Sequence, residues 1–483
     1  GGSDQLQQDH YICDGRIQTL HPLFCWHGFR YFETEGSCEV LYAEVIHTDV
    51  AVTSSFSCSD PVLNWLYEAY IRTQLDNYHG CIPSDYPHRE RLGYTGDGQL
   101  TAETAMLLLD AKELYRKWYQ DILDSQGAET GHIPHTAPFL GGGGGPGGWG
   151  CAVYQVPLAW AKIYGDDSLL VQGYDAILRW FDYMDAHSEK GLVVREEEGG
   201  WCLGDWCFPA SEEKEQLPEA FINTFYYLHG LQEMMQISEK MNNKLSIRFA
   251  EREKNVKNAF LDAYFDPETG DFCEGRAAGN AYGLALGLGD ERTKKHLVEK
   301  YEALGRFDTG IFGTSMLLEQ LFSIGAGDLA VRLLTNDSEA ASFAHMKRNG
   351  ATTLWERWDG RESHNHPMFG ACVRLLFTQI LGIRMTPSAQ PPVINPAQPD
   401  VTAPPAQALK PLNGELQPPA VPGSAQHFSY EIRLSSQRQL TWAKGSIQTP
   451  DGILSVSWEL LENGEKQVEW SLAPAGEDKV PTM

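Results

Sequence analysis

From Pro61 onward, apolar residues recur every three to four positions, and the recurrence continues as far as Leu381. Leu63, Leu66, Tyr67, Tyr70, Ile71 and Leu75 mark one face of the first such segment, the spacing of an amphipathic helix. Asp60 and Pro61 just before it supply a capping side chain and a proline suited to a first helical turn. Further helices are predicted over Leu100–Leu109, Ala111–Ser125, Cys151–Tyr164, Ser168–Ala186, Pro218–Met241 and Leu245–Tyr264. Asn280–Leu288, Glu291–Leu304, Ile311–Ile324, Gly327–Leu334, Glu339–Lys347 and Pro367–Leu381 complete the series. Helices in such number, joined by long Gly- and Trp-rich loops, suggest six helical hairpins closed into a toroid around a pocket. A solenoid would show self-similarity at a fixed period, and no clear repeat is present.

The texture differs at both ends. Residues 25–57 are rich in aromatic and β-branched residues with partial alternation, which predicts two or three strands. From Pro387 to about Pro422 the chain is dense in Pro, Ala and Gln, which prevents regular structure. Alternation then returns with turn signals at Asp451-Gly452 and Asn463-Gly464, the pattern of a small antiparallel β-sandwich. The expected fold is thus mainly α. A β-strand segment over 1–57 precedes a helical catalytic unit over 58–386, with a Pro-rich linker and β-sandwich over 387–483.

Composition narrows the function. A chain that is 42% hydrophobic and 21% charged can bury a sizeable core. Its formal net charge of −27 disfavours nucleic acid and anionic membrane surfaces, and no run is long enough to span a bilayer. A neutral, hydroxyl-rich ligand is compatible with it. Ten scattered cysteines without a Cys-x-x-Cys pair read as reduced core residues of a cytoplasmic protein. No signal-peptide pattern is seen at the start. His132 and His135 in "HIPH" are possible metal ligands, but without a third ligand at hand they read as local hydrogen-bond partners. "GGGGGPGG" at 141–148 lacks the Lys-Ser/Thr of a phosphate loop.

Two loops stand out. "DYPHRERLGYTGDG" sets His88, Arg89, Glu90, Arg91 and Asp97 among glycines, with Asp85 at its head. "TTLWERWDG" places Glu356 between Trp355 and Trp358, followed by His364, Asn365 and His366. Each alone could be structural, as a salt-bridge loop or a buried Trp pair. Together they hold the two carboxylates that glycoside hydrolysis requires, one protonated and one ionised.

The first loop resembles the Asp-x-Pro-x-Arg-Glu-Arg-x-Gly-aromatic-Thr-Gly-Asp signature of the bacterial α-L-rhamnosidases, glycoside hydrolase family 78. "GATTLWERWDG" is similar to that family's second catalytic motif. "HGFRYFETEG", "APFLGGGGGPGGWG", "GDW" at 204–206, "DTGIFGT" and "LTWAKGSIQTPDGILSVSWE" match in the family's order. The resemblance implies an (α/α)6 barrel with Glu90 as general acid and Glu356 as general base. Asp85, Arg89, Asp97 and His366 would bind the rhamnose, with Trp149, Asp205, Trp206, Trp355 and Trp358 around it. The expected reaction is inverting release of terminal α-L-rhamnose from a flavonoid, saponin or oligosaccharide, with no cofactor or metal; the oligomeric state stays open. Three departures are seen: a short segment before the barrel, a short loop between Glu356 and His366, and the Pro-rich insertion. Rival readings are a barrel glycosidase for another neutral or deoxy sugar, a non-catalytic glycan-binding relative, and a polysaccharide lyase using Tyr94 with Arg89.

Overall fold

Helix formation follows the apolar spacing. The computed structural model describes residues 7–198, 200–209, 214–240, 245–337, 341–387 and 428–473. Its helices are α1 Pro61–Asp76, α2 Thr95–Leu108, α3 Lys112–Ser125, α4 Ala152–Tyr164, α5 Ser168–Ala186 and α6 Glu219–Lys240. After them come α7 Leu245–Tyr264, α8 Gly279–Ala285, α9 Glu291–Leu304, α10 Ile311–Ser323, α11 Gly327–Thr335 and α12 Phe343–Arg348. Asp60 caps α1, its carboxylate accepting from the Val62 and Leu63 N–H groups at 2.7 and 3.1 Å. Asp290 forms a reciprocal cap with Thr293 at the start of α9.

Buried and surface helices alternate along the chain. α2 buries twelve of its fourteen residues, whereas α9 buries only Thr293, Leu297 and Tyr301. A helix apolar all round belongs inside, and one with a single apolar stripe belongs outside. By that criterion α2, α4, α6, α8 and α10 count as inner and α3, α5, α7 and α9 as outer, while α11 buries six of its nine residues. The segment Met368–Val373, a 3₁₀ turn buried throughout, packs on both α2 and α10. It runs into a π-helical turn at Leu376–Ile380, so the helix expected over Pro367–Leu381 is present in irregular form.

One helix starts earlier than its sequence suggests. Gly96 and Gly98 look like breakers, yet both lie inside α2. A Cβ on Gly96 would stand 2.6 Å from the Trp149 indole, and one on Gly98 would stand 2.2 Å from Trp118. The glycines therefore allow close packing rather than a turn, and they set Asp97 in a first helical turn.

The C-terminal region forms a four-stranded antiparallel sheet in the order Ser54–Cys58, Trp442–Thr449, Gly452–Leu460, Lys466–Ala473. Its first strand comes from before the helices, so this sheet joins both ends of the helical region. Trp458 anchors it, donating from its indole to the Ile380 carbonyl at 2.8 Å. A separate hairpin pairs Ile383–Pro387 with Phe428–Ile432. Residues 388–427, most of the expected linker, lie outside the described residues, as does the start of the helix expected from Glu339.

The two or three strands expected over 25–57 reduce to Ser54–Cys58. Ile12, Ile17, Phe24, Tyr31 and Val45 are exposed; before Ser54 the segment makes only an isolated bridge, Val52 to Leu109, and scattered contacts such as Trp26 stacked on His79 at 3.6 Å, so no ladder forms among the described residues. The cysteines also divide. All ten are free; Cys58, Cys151, Cys207, Cys273 and Cys372 are buried, but Cys13, Cys25 and Cys38 are exposed on this segment. Among the described residues no helix is long and apolar enough to cross a membrane.

Candidate active site

The candidate residues gather at the N-terminal ends of the inner helices. Asp97 lies in the first turn of α2, Trp149 just before α4, and Glu356 and His366 just before Met368–Val373. Contacts tie these ends together. Trp149 meets Phe312 of α10 edge-on at 5.2 Å, and Tyr86 lies 6.0 Å from the His366 ring. Arg89 bonds Glu362 at 3.1 Å, linking the loop of Glu90 to the loop of Glu356.

Tyr86 is the common neighbour. Burial raises its phenol above the ordinary value, and the charges of Asp85, Glu90 and Glu356 raise it further. Both candidate catalytic carboxylates therefore act on one phenol. The Glu90 carboxylate accepts a 2.7 Å bond from the Tyr94 hydroxyl. Tyr94 is likewise raised, first by burial and then by Glu90, and stays a donor.

Glu356 is buried and fixed on several sides. Its Oε2 accepts from the Ser363 N–H at 3.1 Å, and its own N–H donates to the Ser363 carbonyl at 2.8 Å. Its Oε1 accepts from the Trp206 indole at 3.4 Å, with the Cys207 thiol at 4.0 Å. Arg357 sits over the Trp206 ring at 4.8 Å. Cys207 and Glu362 both adopt left-handed backbone angles, φ 61° and 64°. Such conformations cost about 1–3 kcal/mol each and cluster where structure over-determines a site.

A buried ion pair lies beneath. His366 Nε2 stands 3.1 Å from Asp97 Oδ1, both side chains 5% exposed. Burial alone would lower His366, but Asp97, Glu356 and Asp85 outweigh it and push the imidazole up to about 9. Asp97 is raised by burial, against the pull of His366. Asp85 is raised well above the carboxylate range, first by burial and then by the Asp97 charge. Asp85 Oδ1 accepts from the Leu92 N–H at 3.0 Å. Asp85 Oδ2, His366 Nδ1 and Trp149 Nε1 are buried without a hydrogen-bond partner. Such atoms cost free energy unless a ligand or water meets them.

Three residues expected around the sugar also hold the framework. Trp355 is buried and stacks on His364 at 4.6 Å. Trp358 is buried, stacked on Phe307 at 5.3 Å, and donates to the Thr309 carbonyl at 2.9 Å. Asp205 is fully buried and caps α10: Gly310, Phe312 and Gly313 N–H groups donate to its two oxygens at 2.8–3.0 Å. Burial raises its carboxyl to about 6 against those bonds. The aromatic groups near the carboxylates are Tyr86, Tyr94 and Trp206. Sequence reading missed Tyr86 and weighed Tyr94 only for a lyase, although both lie within the first quoted motif. A cavity of about 410 Å³ adjoins Glu356 through Trp206 and Cys207, with Phe208, Arg357, Arg361 and Glu362 also lining it. Glu90 and Glu356 themselves are not among its walls.

Residues 51–380 match the family model for the bacterial alpha-L-rhamnosidase 6 hairpin glycosidase domain, and residues 3–52 match the bacterial alpha-L-rhamnosidase concanavalin-like domain. The chain belongs to the bacterial α-L-rhamnosidase family. An α-L-rhamnosidase of Streptomyces avermitilis is 29% identical over 404 residues, covering 78% of this chain and 37% of the relative. One from Formosa agariphila is 30% identical over 411 residues, covering 78% and 43%. The chain thus spans less than half the length of these family relatives. Among solved structures, the Streptomyces avermitilis α-L-rhamnosidase complexed with L-rhamnose matches with a TM-score of 0.71 at 25% identity, covering 86% of this chain and 37% of that one. The Aspergillus terreus α-L-rhamnosidase shares the fold, with a TM-score of 0.74 at 23% identity, covering 89% and 48%.

Proposed function

We propose that this chain hydrolyses terminal α-L-rhamnosides with inversion, Glu90 acting as general acid and Glu356 as general base. The observation that carries the reading is the meeting of two carboxylates from distant loops around Tyr86. In this scheme the inner and outer helices form an (α/α)6 barrel whose pocket opens at the inner helices' N-terminal ends, and the C-terminal sheet belongs to a β-sandwich. Glu90 protonates the glycosidic oxygen, and Tyr94 orients it. Glu356, held by Ser363 and Trp206, takes a proton from a water attacking the anomeric carbon on the opposite face.

Binding of the sugar falls to Asp85, Asp97 and His366, with Arg89 at the rim. The buried unpartnered atoms of Asp85, His366 and Trp149 supply acceptors and donors suited to vicinal hydroxyls. Tyr86 and Trp206 offer flat surfaces to the ring. The leaving group, a flavonoid, saponin or oligosaccharide, would extend toward the cavity beside Trp206. The test is a panel of nitrophenyl glycosides. Turnover of the α-L-rhamnoside alone supports the proposal, and faster turnover of another sugar contradicts it.

A further inference from the structure

The segment "HIPH" has a partner that the sequence does not reveal. The fold brings Glu196 to His132 and His135: His135 Nε2 stands 3.3 Å from Glu196 Oε2, and His132 Nε2 stands 4.0 Å from Glu196 Oε1. All three donor atoms lie within 4.8 Å of one another. We propose that His132, His135 and Glu196 form a zinc-type divalent metal site that clamps two loops of the pocket rim.

The hydrogen bonding favours a cation. His135 Nδ1 is 3.1 Å from the Gly142 carbonyl, which can only accept, so Nδ1 carries a proton. Nε2 is then the ring nitrogen left to meet a cation, and it faces a carboxylate oxygen. Two acceptors at 3.3 Å need a proton or a metal ion between them. Both Nε2 atoms are buried without a hydrogen-bond partner, and the His135 and Glu196 side chains are 6% and 8% exposed. A ring fixed by its far nitrogen on a backbone carbonyl is the outer-sphere arrangement of metal-bound histidines.

The remaining contacts agree. Glu196 Oε1 accepts from the Glu197 N–H at 2.9 Å and the Tyr183 hydroxyl at 3.4 Å, which orient the carboxylate. Donors about 2.0–2.1 Å from zinc stand about 3.4 Å apart in a tetrahedron, so the His135–Glu196 edge already fits. The His132 edges close by rotation of a side chain that is 17% exposed. The Cys202 thiol, 3.8 Å from Glu196 Oε2 and bonded by Asn223 at 3.4 Å, lies outside the group whose donor atoms are all within 4.8 Å of one another. The assigned set is therefore three donors, with a fourth position for water.

The clamp would act on the pocket through its loops. Gly142, held by His135, lies against Tyr94: a Cβ there would stand 2.7 Å from the ring. Gly144 forms an isolated parallel bridge with Cys202, on the loop that leads to Trp206. The metal would steady the donor of Glu90 and the indole on Glu356 without touching substrate.

The test is calorimetric titration of EDTA-stripped protein with Zn²⁺, paired with thermal melts. One zinc per chain and a raised Tm are expected. His132→Gln, partly exposed and tolerant of change, should weaken zinc by more than the roughly 10–100-fold that loss of an outer partner costs; Glu196→Gln should abolish it. Cys202→Ser should retain it, and the Co²⁺ form of the unaltered protein should lack a thiolate charge-transfer band. His27→Gln serves as control for the exposed Asp9–Cys25–His27 group. No zinc uptake, uptake unchanged in His132→Gln, loss in His27→Gln, or loss in Cys202→Ser would each overturn the assignment.

Discussion

The loop from Asp85 to Tyr94 and the loop from Leu354 to His366 each carry one candidate carboxylate, and they hold it differently. Glu90 is partly exposed and takes its bond from a side-chain hydroxyl, Tyr94. Glu356 is buried and is held by its own loop's backbone at Ser363 and by the indole of Trp206. A proton donor must reach an outward leaving group and be reprotonated after each turnover, so partial exposure serves it. A base must hold a water at one angle to the anomeric carbon, so fixed donors serve it. The difference between the loops is the one the proposed roles of acid and base would call for.

The strongest way to break this comparison is to remove each carboxyl in turn. Glu356→Gln should lower kcat by roughly 10²–10⁴ on every rhamnoside, because water activation is needed whatever leaves. Glu90→Gln should match that loss on an alkyl or flavonoid rhamnoside and fall short of it on a nitrophenyl rhamnoside. Steady-state kinetics on both substrate types checks this, and equal losses for Glu90→Gln would assign it a structural role.

Next in size is the ion pair under both loops. Asp97→Asn leaves His366 buried without its partner and should cost about 3–5 kcal/mol in denaturant unfolding. The pair also sets a pH limit. Because His366 rises from 6.5 to about 9 on folding, its stabilisation is fully present below pH 6.5 and is lost as pH rises through about 9. An NMR titration of the His366 ring should find that value, and a midpoint near 6.5 would show that the pair is absent.

Tyr94→Phe sharpens the contrast from the Glu90 side. Loss of one bond to a carboxylate, about 1.5–3 kcal/mol, should reduce kcat/KM by roughly tenfold or more on poor leaving groups while Glu356 is undisturbed. The smallest functional effect belongs to Trp358→Phe. It should leave rhamnose affinity roughly unchanged in calorimetry and lower the melting temperature, since the Thr309 carbonyl loses its donor.

Much of this was legible in the sequence where local pattern decides structure. The 3.6-residue spacing marks the helices because burial of one face is a local property. The start of α2 was not legible, because Gly96 and Gly98 answer to Trp149 and Trp118 from other elements. The charged loops drew attention to Glu90 and Glu356 as candidates through their composition. The surroundings of the aromatic partners were not legible: Trp355 and Trp358 neighbour Glu356 in sequence, and their side chains enter the core. Asp205 as a cap of α10, and Asp97 beside His366, depend on tertiary contacts between distant segments. The strands expected before Ser54 needed partners that the segment does not find.

The central claim is that Glu90 and Glu356 act from opposite faces of the sugar with water between base and anomeric carbon. NMR of the first-formed product, recorded before mutarotation, tests it most directly. The account predicts β-L-rhamnose released first from an α-L-rhamnoside. Initial appearance of the α-anomer, or a covalent sugar trapped on Glu356, would contradict it.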